Sequence, residues 1–174
     1  MVALGGFFGY RTYQKVYAPN LQLNKPQFFY IKTGSDFSAV QDSLQPFFKN
    51  PRSFNWVAQQ KNYPALVKPG RYLLEPNMSN NELINLLRSG KQAPLNLVIY
   101  GIKDVERLAG LLGKNLEYDS LAYAEAYTSP EFLQAFGLKP TEVLEQFLPN
   151  TYQFYWNASP QYTLTRMQKE AAKF

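Results

Sequence analysis

The chain has 174 residues, room for one domain or two small ones, and its 45% hydrophobic and 16% aromatic content supplies a packed core. It contains no Cys and no His, which excludes zinc sites built on those ligands, thiol nucleophiles and Ser-His-Asp triads; any acid–base chemistry falls to Asp, Glu, Lys or Tyr. The net charge of +5 is scattered rather than clustered, which argues against a nucleic-acid face and suits an anionic polymer or a membrane surface.

In chain order, Met1 to Tyr10 is uncharged and mostly apolar, and Arg11 and Lys15 follow. This run is too short to span a bilayer and lacks a basic region ahead of it. It reads either as the outer end of a membrane anchor whose start is missing, over residues 1–19, or as an N-terminal core helix. Residues 20–27, with Asn, Pro and Gln, read as a linker. Phe28 to Gly34 has the β-branched and aromatic content of a strand. Phe37, Val40, Leu44 and Phe47 recur at helical spacing, so a helix is expected from Asp36 to about Phe48, capped by Ser35 or Asp36. Pro51 and Ser53 open a second helix, and RYLLEP after the Lys68-Pro69-Gly70 turn is a second short strand. A further helix, NNELINLLRSG, is capped by Ser79 and stopped by Gly90.

The second half begins with a strand, LNLVIYG, from Leu95 to Gly101. Helices follow over DVERLAGLLGKNL, over Asp119 to Tyr127, and over the segment that Ser129 and Pro130 open and Gly137 ends. Thr141 caps a short helical turn, TEVLEQF, which Pro149-Asn150 breaks. Ser159-Pro160 opens a last helix, and the pattern breaks off inside it, so a truncation point is expected there. The fold class is α+β: a β-α-α-β subdomain over residues 28–94, then a mostly helical segment over 95–174.

Two features carry chemistry. VLEQFLPNTYQFYW, Val143 to Trp156, holds a lone carboxylate, Glu145, among aliphatic and aromatic residues. It is either an exposed charge at the end of a short helix or a buried general acid. Leu144, Phe147 and Leu148 could desolvate it, which would raise its pKa and keep it protonated near neutrality. The other feature is PGRYLLEPNMSNNELINLLRSGK, Pro69 to Lys91. Tyr155 and Trp156 read either as a stacking floor for a glycan or as core.

Taken together and in this order, these segments resemble the MltG-type (YceG-like) endolytic murein transglycosylases. The Pro69–Lys91 run resembles the close of that family's LysM-like subdomain, and LEQFLPNTY resembles its catalytic LEG…FPDTY signature. The resemblance covers nearly the whole chain but only part of the family's length. It implies the end of a single-pass anchor in a bacterial cytoplasmic membrane at residues 1–19, a LysM-like subdomain at 28–94, and the start of the catalytic domain at 95–174 on the outer, periplasmic side. It implies cleavage of MurNAc–GlcNAc bonds with 1,6-anhydro-MurNAc ends, with no metal or other cofactor. Peptidoglycan strands are the implied substrate, with cell-wall synthases as partners and no nucleic acid. Glu145 matches the family's catalytic acid, and Asn150, Thr151 and Tyr152 are the implied substrate-binding residues. The motif departs from the family pattern in having Gln146 for Gly and one residue fewer between Glu and Pro. An ungapped match on Pro149 to Tyr152 puts Leu144 where the acid belongs. Glu142, three residues before Glu145, is the second candidate. The competing reading is a LysM-like glycan-binding or scaffold protein without lytic activity.

Overall fold

The computed structural model describes residues 2–173 and is α+β. It divides into two compact units, Met1–Ala93 and Pro94–Phe174, each with its own core.

The first unit contains α1 (Val2–Tyr17), β1 (Gln27–Ile31), α2 (Phe37–Leu44), α3 (Pro51–Gln60), β2 (Gly70–Leu74) and α4 (Asn80–Ser89). From β1 to β2 this is the β-α-α-β order that the hydrophobic spacing predicts. The two strands pair antiparallel, with Phe28 opposite Leu73 and Tyr30 opposite Arg71. Alternation turns Phe29, Ile31, Tyr72 and Leu74 inward, onto Val40 and Leu44 of α2, Phe54 and Val57 of α3, and Leu83, Ile84 and Leu87 of α4. The helix expected to Phe48 ends at Leu44 and tightens into a 3-10 turn over Gln45–Phe47. Pro46 lies in that turn, where its missing N–H cannot sustain α-helical bonding. α3 opens at Pro51 as expected, and Asn50 caps it, its side chain accepting from the Ser53 N–H.

α4 shows how a local signal becomes stability. Ser79 Oγ accepts from the Glu82 N–H at 3.2 Å, and Glu82 Oε2 accepts from the Ser79 N–H at 2.8 Å. The reciprocal pair satisfies donors that a helix start leaves open. The hydrogen bonds from Ser79, side chain first and then backbone, hold the Glu82 carboxyl below its usual range. Gly90 closes the helix at φ +74, a left-handed cap that glycine adopts without a Cβ penalty.

The segment read as a linker, residues 20–27, is partly structural. Leu21 is fully buried and Asn20 nearly so. Asn20 donates its amide to the Asn50 carbonyl at 3.1 Å and to Asn80 Oδ1 at 2.8 Å, and accepts from the Asn50 N–H at 2.7 Å. Asn80 in turn donates to the Lys15 carbonyl at 2.8 Å and to Ser53 Oγ at 2.9 Å. These amides tie the end of α1 to the starts of α3 and α4, a buried network whose members are all hydrogen-bonded. The proposed anchor at residues 1–19 lies partly outside the described residues. Among the described residues no helix is long and apolar enough to cross a membrane.

The second unit contains β3 (Leu95–Ile99), α5 (Val105–Asn115), α6 (Ser120–Thr128), α7 (Pro130–Gln134), 3-10 turns at Pro140–Glu142 and Leu144–Gln146, β4 (Asn150–Phe154) and α8 (Pro160–Ala171). β4 is the departure from expectation. Pro149-Asn150 reads locally as a turn, yet Asn150 opens a strand that pairs antiparallel with β3 from Ile99↔Asn150 to Leu95↔Phe154. Its partner lies across α5, α6, α7 and two 3-10 turns in sequence, with Ile99 paired to Asn150 and Leu95 to Phe154, so no local pattern announces it. Leu97, Ile99 and Phe154 face a core completed by Leu108, Leu112, Tyr123, Tyr127 and Leu164. Gly113 lets α5 and α6 meet: a Cβ there would fall 2.3 Å from the Ser120 backbone nitrogen.

Candidate functional site

The segment from Lys139 to Tyr155 is built on two inward anchors, Val143 and Phe147, which are 0% and 4% exposed. Phe147 packs 5.7 Å from the Tyr127 ring. The turns between these anchors are closed by their own backbone, Glu142 N–H to the Lys139 carbonyl at 2.9 Å and Gln146 N–H to the Val143 carbonyl at 3.1 Å. With Val143 and Phe147 pointing in, Glu145 midway between them points out. It is exposed, so the apolar seat proposed for it from its sequence neighbours is not formed by them in this unit. Sequence proximity to Leu144, Phe147 and Leu148 misleads because a tight turn sends consecutive side chains in different directions.

Glu142 is half-buried, and its Oε2 accepts from the Lys139 N–H at 2.8 Å. The Gln146 side chain donates to the Glu142 carbonyl at 3.3 Å. These bonds brace the turn that carries Glu145. Glu142 also lines an open groove of about 520 Å³ with Glu131, Leu138 and Lys139, and Glu145 does not line it.

The three residues expected to meet substrate separate by strand alternation. Asn150 and Thr151 are exposed, and Asn150 Oδ1 accepts from the Thr151 N–H at 2.7 Å. Tyr152 is 6% exposed and belongs to the core. Its hydroxyl donates to the Leu148 carbonyl at 2.9 Å, so it braces the loop between Glu145 and β4 rather than facing a ligand. Burial, with a smaller contribution from the Glu170 charge, pushes the Tyr152 phenol above its usual value. Tyr155 is exposed, whereas Trp156 packs against the core and its carbonyl accepts from the Glu117 N–H at 2.8 Å. The structure thus leaves Glu145, Asn150, Thr151 and Tyr155 accessible and takes Tyr152 and most of Trp156 inward.

The sequence reading expected the strand from Leu95 but missed that it pairs with Asn150 to Phe154. Opposite Thr151 stands Val98, and opposite Gln153 stands Asn96. A signal was present: no charged residue occurs in Pro94 to Gly101 or in Asn150 to Asn157. Among the described residues no group of three or more carboxylates stands where it could hold a metal ion.

Comparison with known proteins places these features in context. The model of the YceG-like family matches residues 29–174. The crystal structure of a yceG-like protein from Listeria monocytogenes is similar at 22% identity and a TM-score of 0.39, over 86% of this chain and 55% of that one. The chain therefore spans about half the length of that relative. No curated protein matches it significantly.

Proposed function

The chain belongs to the YceG-like family, and from that premise we propose that it serves a peptidoglycan lytic transglycosylase that cleaves MurNAc–GlcNAc bonds and leaves 1,6-anhydro-MurNAc ends. The observation that carries the reading is the family match running through the segment in which an accessible carboxylate, Glu145, is followed at once by a strand presenting Asn150 and Thr151.

In this reading one carboxyl group performs both proton transfers. Protonated, Glu145 donates to the glycosidic oxygen as the bond to C1 of MurNAc breaks. Ionised, it accepts the proton of the C6 hydroxyl as that oxygen closes on C1. No water enters, so the second carboxylate of an ordinary glycosidase has no task. For the first transfer the acid must hold its proton near neutral pH, which requires desolvation. A bound glycan would contribute it, because Glu145 is exposed in this unit. Asn150 and Thr151 offer an amide and a hydroxyl to sugar substituents. Residues 28–94 act as a LysM-like subdomain that holds the strand. Residues 1–19 lead from a single-pass anchor in the bacterial cytoplasmic membrane, with both units on its outer side and cell-wall synthases as neighbours.

The exposure of Glu145 favours one alternative, a LysM-like glycan-binding protein without lytic activity. Muropeptide mass spectrometry separates the two. Peptidoglycan incubated with the full-length gene product is expected to gain anhydro-muramoyl ends, and Glu145→Gln is expected to lower their yield at least about 100-fold. Anhydro ends made equally by Glu145→Gln and lost in Glu142→Gln would move the acid to Glu142. Retained glycan binding with no anhydro ends from any form would establish the binding protein.

A further inference from the structure

The positive charge of the chain is not shared evenly between its units. Residues 1–93 carry 11 Lys and Arg against 4 Asp and Glu, whereas residues 94–174 carry 7 against 9. Two stretches of the first unit, Met1 to Ser35 and Ser43 to Leu74, contain no carboxylate side chain at all. These stretches meet where α1 ends and α3 begins. There Lys15, Asn20, Lys49, Asn50, Ser53 and Asn80 line a cleft of about 220 Å³, and among the described residues no acidic side chain lines it.

The floor of the cleft is fixed by its own hydrogen bonds. Asn20 Nδ2 donates to the Asn50 carbonyl and to Asn80 Oδ1, and Asn80 Nδ2 donates to the Lys15 carbonyl and to Ser53 Oγ. Ser53 Oγ donates in turn to the Asn50 carbonyl at 2.8 Å. The groups left open are donors. Asn50 Oδ1 accepts from the Ser53 N–H at 3.1 Å, which leaves its Nδ2 without a partner among the described residues. Among the same residues the Lys49 ammonium forms no ion pair, and the Lys15 ammonium meets only the Trp56 ring, 5.2 Å from its centroid. Two ammonium groups and an amide N–H, with no carboxylate to balance them, suit an anion rich in acceptor oxygens. Lysine serves phosphate as a point charge, whereas a carboxylate is matched best by the arginine fork, which the cleft lacks.

The surroundings of the cleft bear on the source of such a phosphate. Gln14, also on its wall, donates to the Tyr10 hydroxyl at 3.0 Å, and the Tyr13 and Tyr17 rings lie 5.0 Å apart along the same face of α1. All three tyrosines are exposed, as is Trp56 on α3. Aromatics with one polar end, placed beside lysines and directly after the uncharged run to Tyr10, have the composition of a segment at the boundary between hydrocarbon and headgroups. We propose that the cleft between the end of α1 and the start of α3 binds a phosphate group, with Lys15 and Lys49 as its charge partners and Asn50 as an amide donor. The setting favours a lipid headgroup over a free phosphate, and that choice alone rests on the anchor proposed for residues 1–19.

The test has two arms. In the first, the purified chain is titrated with inorganic phosphate and followed by amide NMR. Shifts are expected at Lys15, Asn20, Lys49, Asn50 and Ser53, and Lys15→Gln with Lys49→Gln is expected to weaken binding at least about 10-fold. Lys32→Gln with Lys91→Gln removes the same charge from exposed positions outside the cleft and is expected to change it less than about 2-fold, with circular dichroism unchanged in both pairs. Phosphate shifts that are absent from the cleft, or lost equally in the two pairs, overturn the proposal, because the charge would then act diffusely. In the second arm, sedimentation compares vesicles of phosphatidylglycerol with vesicles of a phosphate-free glycolipid. Preference for phosphatidylglycerol is expected, and the Lys15 and Lys49 pair is expected to abolish it while the control pair keeps it. Vesicle binding that ignores the cleft pair overturns the headgroup as the source and leaves the site to a soluble phosphate. The phosphate arm does not depend on the anchor, so the site and the anchor fail separately.

Discussion

β1–β2 and β3–β4 are both pairs of five-residue antiparallel strands with alternate side chains buried on one face. Their outer faces part company. On β1–β2 the Arg71 guanidinium lies 4.0 Å from the Phe28 ring centroid, and Arg71 Nε donates to the Ala93 carbonyl at 3.1 Å. A charge covers the exposed aromatic and occupies itself with the protein's own groups. On β3–β4 none of the outward residues is charged, and the amides, hydroxyl and tyrosines are left to solvent; the Arg166 guanidinium reaches the Gln153 main-chain carbonyl and lies 5.0 Å from the inward Phe154 ring instead. The inner faces answer to packing, which constrains both sheets alike. The outer faces answer to whatever each meets, and there the sheets diverge.

The comparison breaks most severely if the inner faces are not equivalent. Phe54→Ala in the first unit and Phe154→Ala in the second each remove a buried ring and should each cost about 3–5 kcal/mol. Denaturant unfolding, with hydrogen exchange read at the β1–β2 and β3–β4 amides, would show it. A cost below about 1 kcal/mol at either site would mean that its core is not the one described.

Alkaline pH tests both cores together. Tyr63, Tyr123 and Tyr127 are fully buried with phenols pushed well above their usual value, by desolvation first; neighbouring tyrosines add to the shift at Tyr63 and Tyr123, whereas the Thr163 hydrogen bond partly offsets it at Tyr127. The Tyr72 phenol is pushed up to about 12 by burial. A folded pKa above the unfolded one contributes stability that is complete below about pH 10 and is lost as pH rises through the folded value. Stability should therefore hold to about pH 10 and then fall, with the buried phenolate absorbance appearing together with unfolding. Phenolate absorbance from all tyrosines near pH 10 in the folded protein would contradict the burial.

Smaller effects sharpen the contrast. Asn80→Ala leaves Asn20, Ser53 and the Lys15 carbonyl short of a partner and should destabilise the first unit by about 1–3 kcal/mol. Asn20→Ala should cost a similar amount, and the double variant less than the sum, because both belong to one network. A thermodynamic cycle that proves additive would show the amides acting separately. At the low end, Arg71→Ala should cost roughly 0.5–1 kcal/mol through the lost stacking on Phe28. Thr151→Ala, on the other sheet, should stay within about 0.5 kcal/mol. Equal costs at the two positions would mean that the outer face of β3–β4 is tied into the fold after all.

What could be read from the chain follows from the range of the forces involved. The helix from Asn80 to Ser89 was legible because its start, Ser79 with Glu82, and its stop, Gly90, act within a few residues. The same holds for Asp104 and Asp119, which accept from the Arg107 and Ala122 N–H groups and open α5 and α6. The β-α-α-β order followed from apolar spacing for the same reason. Glu145, Asn150 and Thr151 were found as a motif, and the motif was local.

The sequence by itself determined the element types apart from β4, and the two halves, and it marked Glu145 as a candidate, since caps, turns and hydrophobic periodicity are properties of neighbouring residues. Tertiary structure decided the rest. Asn150 to Phe154 became a strand because β3 supplied hydrogen bonds that a Pro-Asn pair does not foretell. Asn20 and Leu21 became core because the starts of α3 and α4 close over them. Tyr152 turned inward and Glu145 outward because strand alternation and a tight turn fix side-chain direction, and direction depends on which partner each backbone finds.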